Sequence, residues 1–192
     1  MATNGNSSQG AASAVAPNRS VEYVLEQADT PDKFCVALAK LFAVRPKEVA
    51  MLRLEKLLLT FLYPDELKTA GAIPVSSSSA IAAHTASTKK MEIFNSFAKV
   101  NHARIFESVK LGSVEEEQGV VVDQTEQPSI QKLMSAPVLN PQGRVLGVIQ
   151  ICRKGFSITS AGPDFAPADL QQLKLATEIA AKKQFMNPKA KA

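Results

Sequence analysis

Residues 130–179 constrain this chain more than any other stretch, because three elements and the reasons for their ends can be read there. Residues 130–139 and 144–154 are rich in Val, Ile and Leu. Asn140-Pro141-Gln142-Gly143 between them has Pro second and Gly fourth, as a type I turn prefers. This predicts an antiparallel strand pair. After a loop of Gly, Ser, Thr and Pro, Phe165-Ala166-Pro167-Ala168-Asp169-Leu170 places Pro at a first helical position and an acid two residues later. Phe165 and Leu170 are spaced as a hydrophobic staple. In the helix that follows, Leu170, Leu173, Ala176 or Thr177, and Ile179 or Ala180 recur every three to four residues, so one stripe is to be buried.

With 192 residues the chain can bury a sizeable core. One domain is expected over 21–186, between a disordered tail at 1–20 and a short tail at 187–192. The first twenty residues are mostly Ala, Asn, Ser, Gln and Gly, too poor in large apolar groups to offset the entropy of ordering. They have neither a basic start nor an apolar h-region, so they do not read as a secretion signal, and a cytoplasmic location is expected. No apolar run approaches the roughly 20 residues of a membrane span. The net charge of +4 is matched by Lys182, Lys183, Lys189 and Lys191 alone, which leaves the remainder neutral. Lysines at a helix end complement its dipole, and no basic patch with stacking aromatics points to nucleic acid. Cys35 and Cys152 stand far apart with no CxxC or Cys/His spacing, so they read as reduced structural cysteines.

Upstream, Val21, Val24, Leu25 and Ala28 predict a short first helix. Thr30-Pro31 caps a second, whose buried stripe is Phe34, Ala37, Leu38, Leu41 and Phe42. Residues 47–62 admit two readings. Their Met, Leu, Glu, Lys and Arg favour helix, and Glu55-Lys56 is a poor two-residue turn because neither residue favours positive φ. Yet Pro46 and Pro64 bracket the run, and its apolar residues fill both faces as two buried strands would. Residues 71–74 are expected to be extended, Ser76–Ser79 to supply the N-cap of a helix ending near Thr85, and 91–94 to form a short strand. A helix is expected over 99–111, ended by Gly112, and a polar loop from Glu115 to Pro128.

Several of these segments together resemble the GAF domain, the small-molecule-binding sensory module of phytochromes and cyclic-nucleotide phosphodiesterases. Residues 130–138 are similar to the family's strand ending in "Pro-hydrophobic", and 143–151 to its "Gly-x-Val-x-Gly-Val-Ile-Gln" strand. Asp164-Phe165 through Asp169-Leu170 is similar to its closing "Asp-Phe-x-x-x-Asp-Leu", and Ile73-Pro74 sits where the family carries an "Ile-Pro". The resemblance covers about residues 21–185. It implies an α+β, profilin-like fold with a central antiparallel sheet of about six strands. The terminal helices would pack on one face, and a ligand pocket would lie under loops and short helices on the other. It also implies that 47–62 is two strands.

In such a fold the pocket would be walled by 76–85, 91–101 and 99–111, which makes Ser77, His84, Asn95, Asn101 and His102 the polar candidates and Phe94, Phe97 and Phe106 the apolar ones. Neither His84 nor His102 adjoins a Cys, so attachment of a bilin chromophore is disfavoured. The family's cyclic-nucleotide signature lacks its Asn-Lys half, and the cysteines do not resemble the cluster of its methionine-sulfoxide-reducing members. No phosphate-cradling loop, nucleophile elbow or HExxH occurs, and no metal site is expected. The reading is a non-catalytic regulatory module that binds an unidentified small molecule. It would signal as a homodimer through its terminal helices, with Ala176, Ala180 and Ala181 allowing close approach, or through an effector protein in trans. The alternatives are an interaction module without ligand and a thiol-based redox enzyme. Neither nucleic acid nor membrane is an expected partner.

Overall fold

The computed structural model describes residues 21–96 and 128–188. The expected tail at 1–20, the helix at 99–111 and most of the polar loop lie outside them. Along the chain the elements are α1 (Val21–Gln27), α2 (Pro31–Leu41), a 3-10 turn (Pro46–Glu48), β1 (Val49–Glu55), β2 (Leu58–Tyr63), α3 (Asp65–Lys68) and β3 (Ala72–Pro74). There follow α4 (Ile81–Thr88), β4 (Glu92–Phe94), β5 (Ser129–Leu139), β6 (Val145–Gly155) and α5 (Pro167–Ala181).

One antiparallel sheet of six strands, in the order β3-β2-β1-β6-β5-β4, carries the fold. Residues 47–62 thus hold two strands, against the helix propensity of their residues. The β1–β2 connection is not the Glu55-Lys56 pair that the pattern suggested. Glu55 pairs with Leu58, and the two loop residues are Lys56 (φ 47°) and Leu57 (φ 69°). Both are left-handed, as a type I′ hairpin turn requires, although neither residue type favours it. The turn at 140–143 follows its residue preferences. Gly143 donates its N–H to the Asn140 carbonyl at 2.9 Å, and the Asn140 side chain accepts from the N–H groups of Gln142 and Arg144. Gly143 lies at φ 72°, a conformation that glycine adopts without cost.

The sheet is buried on both faces, which is why β1, β5 and β6 read as almost unbroken apolar runs. On one face, Phe34 and Leu38 of α2, Leu25 of α1 and Leu173, Ala176 and Ala180 of α5 pack over Val49, Met51, Met134, Ala136, Ile149 and Ile151. On the other, Ala82, Ala83 and Ala86 of α4 pack with Leu67 of α3 against Ala50, Leu52, Leu59, Phe61 and Val148. Gly147 marks the tightest approach. A Cβ there would stand 2.0 Å from the Leu52 carbonyl oxygen and 2.5 Å from Met186 Cε.

Local signals set the starts of α2 and α5. Lys33 N–H bonds to Thr30 Oγ1, so Thr30 caps α2 as its sequence predicts. Asp169, the third residue of α5, accepts from the Ala166 N–H at 2.7 Å, half of a capping box. The serine run does not cap α4. That helix starts at Ile81 behind Ala80, which has no side-chain cap, and runs to Thr88 rather than Thr85. Ser77 and Ser79 share a hydrogen bond with each other instead.

Candidate functional site

α4, one of the segments expected to wall a pocket, packs on the sheet face opposite α1, α2 and α5. α4 offers small side chains to the sheet, so its backbone lies close to β5 and β6. Thr85, fully buried midway along this helix, sets Oγ1 2.7 Å from Ser135 Oγ on β5. Gln150, opposite Ser135 on β6, donates Nε2 to the same hydroxyl at 3.2 Å. The three form an uncharged polar cluster in which each buried group has a partner, as low-dielectric surroundings demand. Next to it Ile81, Ile130, Leu133 and Cys152 make a second apolar cluster, against which Phe94 of the edge strand packs.

Three of the four expected site residues within the described chain gather around β4. Phe94 belongs to the apolar cluster just named. Asn95, one residue on, clasps the backbone of Phe165. Its Nδ2 donates to the Phe165 carbonyl at 3.0 Å and its Oδ1 accepts the Phe165 N–H at 2.9 Å. This pair of bonds fixes the loop ahead of α5 to the sheet edge and occupies both ends of the amide. His84 Nε2, on a half-exposed side chain of α4, lies 3.3 Å from Glu92 Oε2 at the start of β4. Ser77 stands apart, in the turn after β3 at the opposite edge of the sheet, where its N–H bonds to the Pro74 carbonyl. Phe97, Asn101, His102 and Phe106 lie outside the described residues, on the stretch that joins β4 to β5.

The two cysteines are buried, and neither is in a disulfide. Cys35 lies in the core on the side of α1, α2 and α5. Cys152 alternates with Ile151 and faces the other way. The sheet stands between them. Burial, with the Asp32 carboxylate adding to it, pushes the Cys35 thiol well above its usual range, so at neutral pH it is protonated and a poor nucleophile. Among the described residues no group of three or more His, Cys, Asp and Glu side chains could hold a metal ion. No helix among them is long and apolar enough to cross a membrane. Ala176 and Ala180, expected to admit a partner helix, are fully buried within this chain's own core. The large apolar groups that face outward from the helical layer are Tyr23 and Val24 on α1, Val36 on α2 and Leu175 on α5.

The sequence reading missed the charged group that ties the far end of the sheet together. Glu48, 5% exposed, accepts three hydrogen bonds of 2.7 Å, from the Arg45 guanidinium and from the N–H groups of Arg45 and Lys154. Burial alone would raise its carboxyl, but the bonds from Arg45 and the two N–H groups outweigh this and hold it below the usual range. Nearby, Arg153 donates to the carbonyls of Phe42 and Ala43 and lies over the Phe165 ring, while Lys132 bonds to Gly162 and Asp164. The Arg45-x-x-Glu48 spacing was the one local trace of this cluster.

No family model and no curated protein matches the chain. Solved structures do. It is similar to the GAF domain of a phosphoenolpyruvate-protein phosphotransferase from Acinetobacter, at 13% identity and TM-score 0.56, over 85% of this chain and 87% of that one. It is also similar to a GAF domain/HD domain protein from Geobacter sulfurreducens, at 9% identity and TM-score 0.52, over 88% and 94%. A third is the type II free methionine-R-sulfoxide reductase of Thermoplasma acidophilum, at 16% identity and TM-score 0.51, over 78% and 86%. At such identities the likeness is one of architecture. With one six-stranded antiparallel sheet and helices on both of its faces, this chain has the fold of GAF domains.

Proposed function

We propose that the chain is a non-catalytic regulatory module that binds a small molecule on the sheet face shared by α4 and β4. The observation that carries this reading is the unequal finish of the two faces. The face under α1, α2 and α5 is closed by large side chains such as Phe34, Leu38 and Leu173. The other is covered by an alanine-rich helix over an uncharged polar cluster, with Phe94 and Cys152 beside it. An apolar surface with a few placed polar groups suits a small ligand. In the sequence, β4 and β5 are joined by the stretch that carries Phe97, Asn101, His102 and Phe106. The fold shared with domains named as GAF supports the same reading. Output would pass through a homodimer built on the outward faces of α1 and α5, or through an effector protein.

Native mass spectrometry of protein purified without added ligand tests the proposal. A retained small molecule, lost on denaturation, supports it, and the identified compound at 1,000 times its dissociation constant should then add about 4 kcal/mol to stability. No retained mass and no thermal shift across a metabolite panel would refute it in favour of an interaction module without ligand. A monomer by light scattering at high micromolar concentration would count against the homodimer.

A redox enzyme is the second reading, because one similar structure is named as a methionine-R-sulfoxide reductase. The placement of Cys35 and Cys152 on opposite faces of the sheet argues against a dithiol step between them. Turnover of free methionine-R-sulfoxide that vanishes in C35S and C152S would establish the reductase and displace the regulatory reading.

A further inference from the structure

A second concave surface lies outside the α4 face, at the edge of β5. β4 pairs with β5 only over Leu133–Ser135. Beyond Ser135 a groove of about 590 Å³ opens between β5, the residues that follow α4, and α5. Its apolar lining comes from Met91, Pro137, Leu139 and Pro141, with Ala181 on the helix wall. Lys89, Lys174 and Lys182 stand around it with one acid, Glu178, so the groove carries two more positive charges than negative ones. Among the described residues, Lys174, Glu178 and Lys182 form no ion pair, although they follow each other at four-residue spacing along α5. Lys89 is held differently. It ends α4 in a left-handed conformation (φ 58°), and its ammonium donates to the Gly143 carbonyl at 2.8 Å, tying the segment after α4 to the β5–β6 turn.

We propose that this groove binds an amphipathic anion, a small molecule with an apolar body and a carboxylate or sulfonate at one end. The apolar lining would take the body, and Lys174 and Lys182 the charged end. Its volume lies within the range of small-molecule sites, about 300–1,000 Å³. An added peptide strand fits less well. Pro137 has no N–H to give to a ladder, and Lys89 and Met91 already border the edge where such a strand would lie. The groove opens at the sheet edge between the C-terminal end of α4 and α5, and its lining does not include Thr85, Ser135 or Gln150 of the cluster described above.

The full chain titrated with 2-naphthoate, with 2-naphthol as the uncharged analogue, tests the assignment by heteronuclear NMR. The expected result is saturable binding of 2-naphthoate, with shift changes centred on Met91, Leu139 and Ala181, at least tenfold tighter than that of 2-naphthol. K174E/K182E should weaken it at least tenfold and K40E, on α2, should leave it unchanged. If the double reversal does not fold, K174Q/K182Q serves, with a loss of several-fold. No binding at millimolar 2-naphthoate, shifts centred elsewhere, equal affinity for the two probes, or affinity unchanged in the lysine variants would each overturn the proposal.

Discussion

Replacing Lys56-Leu57 by Asn-Gly should stabilise the chain by about 0.5–1 kcal/mol. The two residues form the β1–β2 turn at φ 47° and 69°, with Glu55 and Leu58 paired on either side. A residue with a Cβ is strained by roughly 1 kcal/mol or more in that conformation, so the turn carries about 2 kcal/mol of avoidable strain. Asn tolerates the left-handed region and Gly enters it freely, although Gly costs about 0.5–1 kcal/mol through the entropy of the unfolded chain. Leu57 is 74% exposed, so about a quarter of its surface is covered. At about 2 kcal/mol for full burial of a leucine, its loss costs about 0.5 kcal/mol. The bond from Val75 N–H to the Leu57 carbonyl, at 2.9 Å, involves only backbone and remains. Urea unfolding would show a higher midpoint at unchanged slope, and the melting temperature should rise by about 2–4 °C. L57A supplies the control, since it keeps the strain and loses the contact, and should fall by about 0.5 kcal/mol. Asn-Gly no more stable than the parent would refute the reasoning and show that the surroundings relieve the strain.

The other predictions concern the core. Gly147→Ala should cost more than about 3 kcal/mol in chemical denaturation or abolish folding, because its Cβ would overlap the Leu52 carbonyl, which the β1–β6 ladder holds in place. Glu48→Gln should cost about 2 kcal/mol at pH 7, by loss of charge-assisted bonds. The carboxyl of Glu48 is lowered in the folded state, so its stabilisation is fully present above the ordinary glutamate value of about 4.3 and is lost as pH falls through the folded-state value. E48Q should therefore lose stability less steeply than the parent on acidification, as measured by denaturant midpoints from pH 7 to pH 2. Thr85→Val should cost about 1–2 kcal/mol by leaving Ser135 short of a partner, and T85V/S135A should recover part of it; a double-mutant cycle without coupling would contradict the cluster.

Features whose partners lie within four residues are legible in the amino-acid order alone. The Asn140–Gly143 turn, the Thr30 cap of α2 and the Pro167–Asp169 start of α5 each satisfy backbone groups next door in sequence, so residue type announces them. The stripes of α2 and α5 are legible because each helix buries one side, and Phe34, Leu38, Leu173 and Ala176 are where the periodicity places them. The 47–62 hairpin is not legible from pattern. β1 is buried on both faces over Val49–Leu52, which erases its alternation; β2 alternates in burial but carries Leu58 and Leu62 on its less buried face, and the turn uses Lys56 and Leu57 in a conformation that neither advertises. The serine run before α4 offers four caps, yet the helix begins after Ala80, because close packing of Ala82, Ala83 and Ala86 on the sheet sets where it starts.

The sequence by itself therefore determined the strand–turn–strand–helix block at 130–179, the starts of α2 and α5, and the resemblance that predicted a six-stranded sheet. Only the tertiary structure decided the chemistry of the surfaces. Asn95 meets Phe165 from 70 residues away, Glu48 meets Lys154 from 106, and Thr85 meets Ser135 from 50. The groove of Lys89, Pro137 and Lys174 joins three separate elements. The physical reason is range. A turn or cap is satisfied within its own few residues, whereas a site is made by side chains whose nearness depends on every strand register between them.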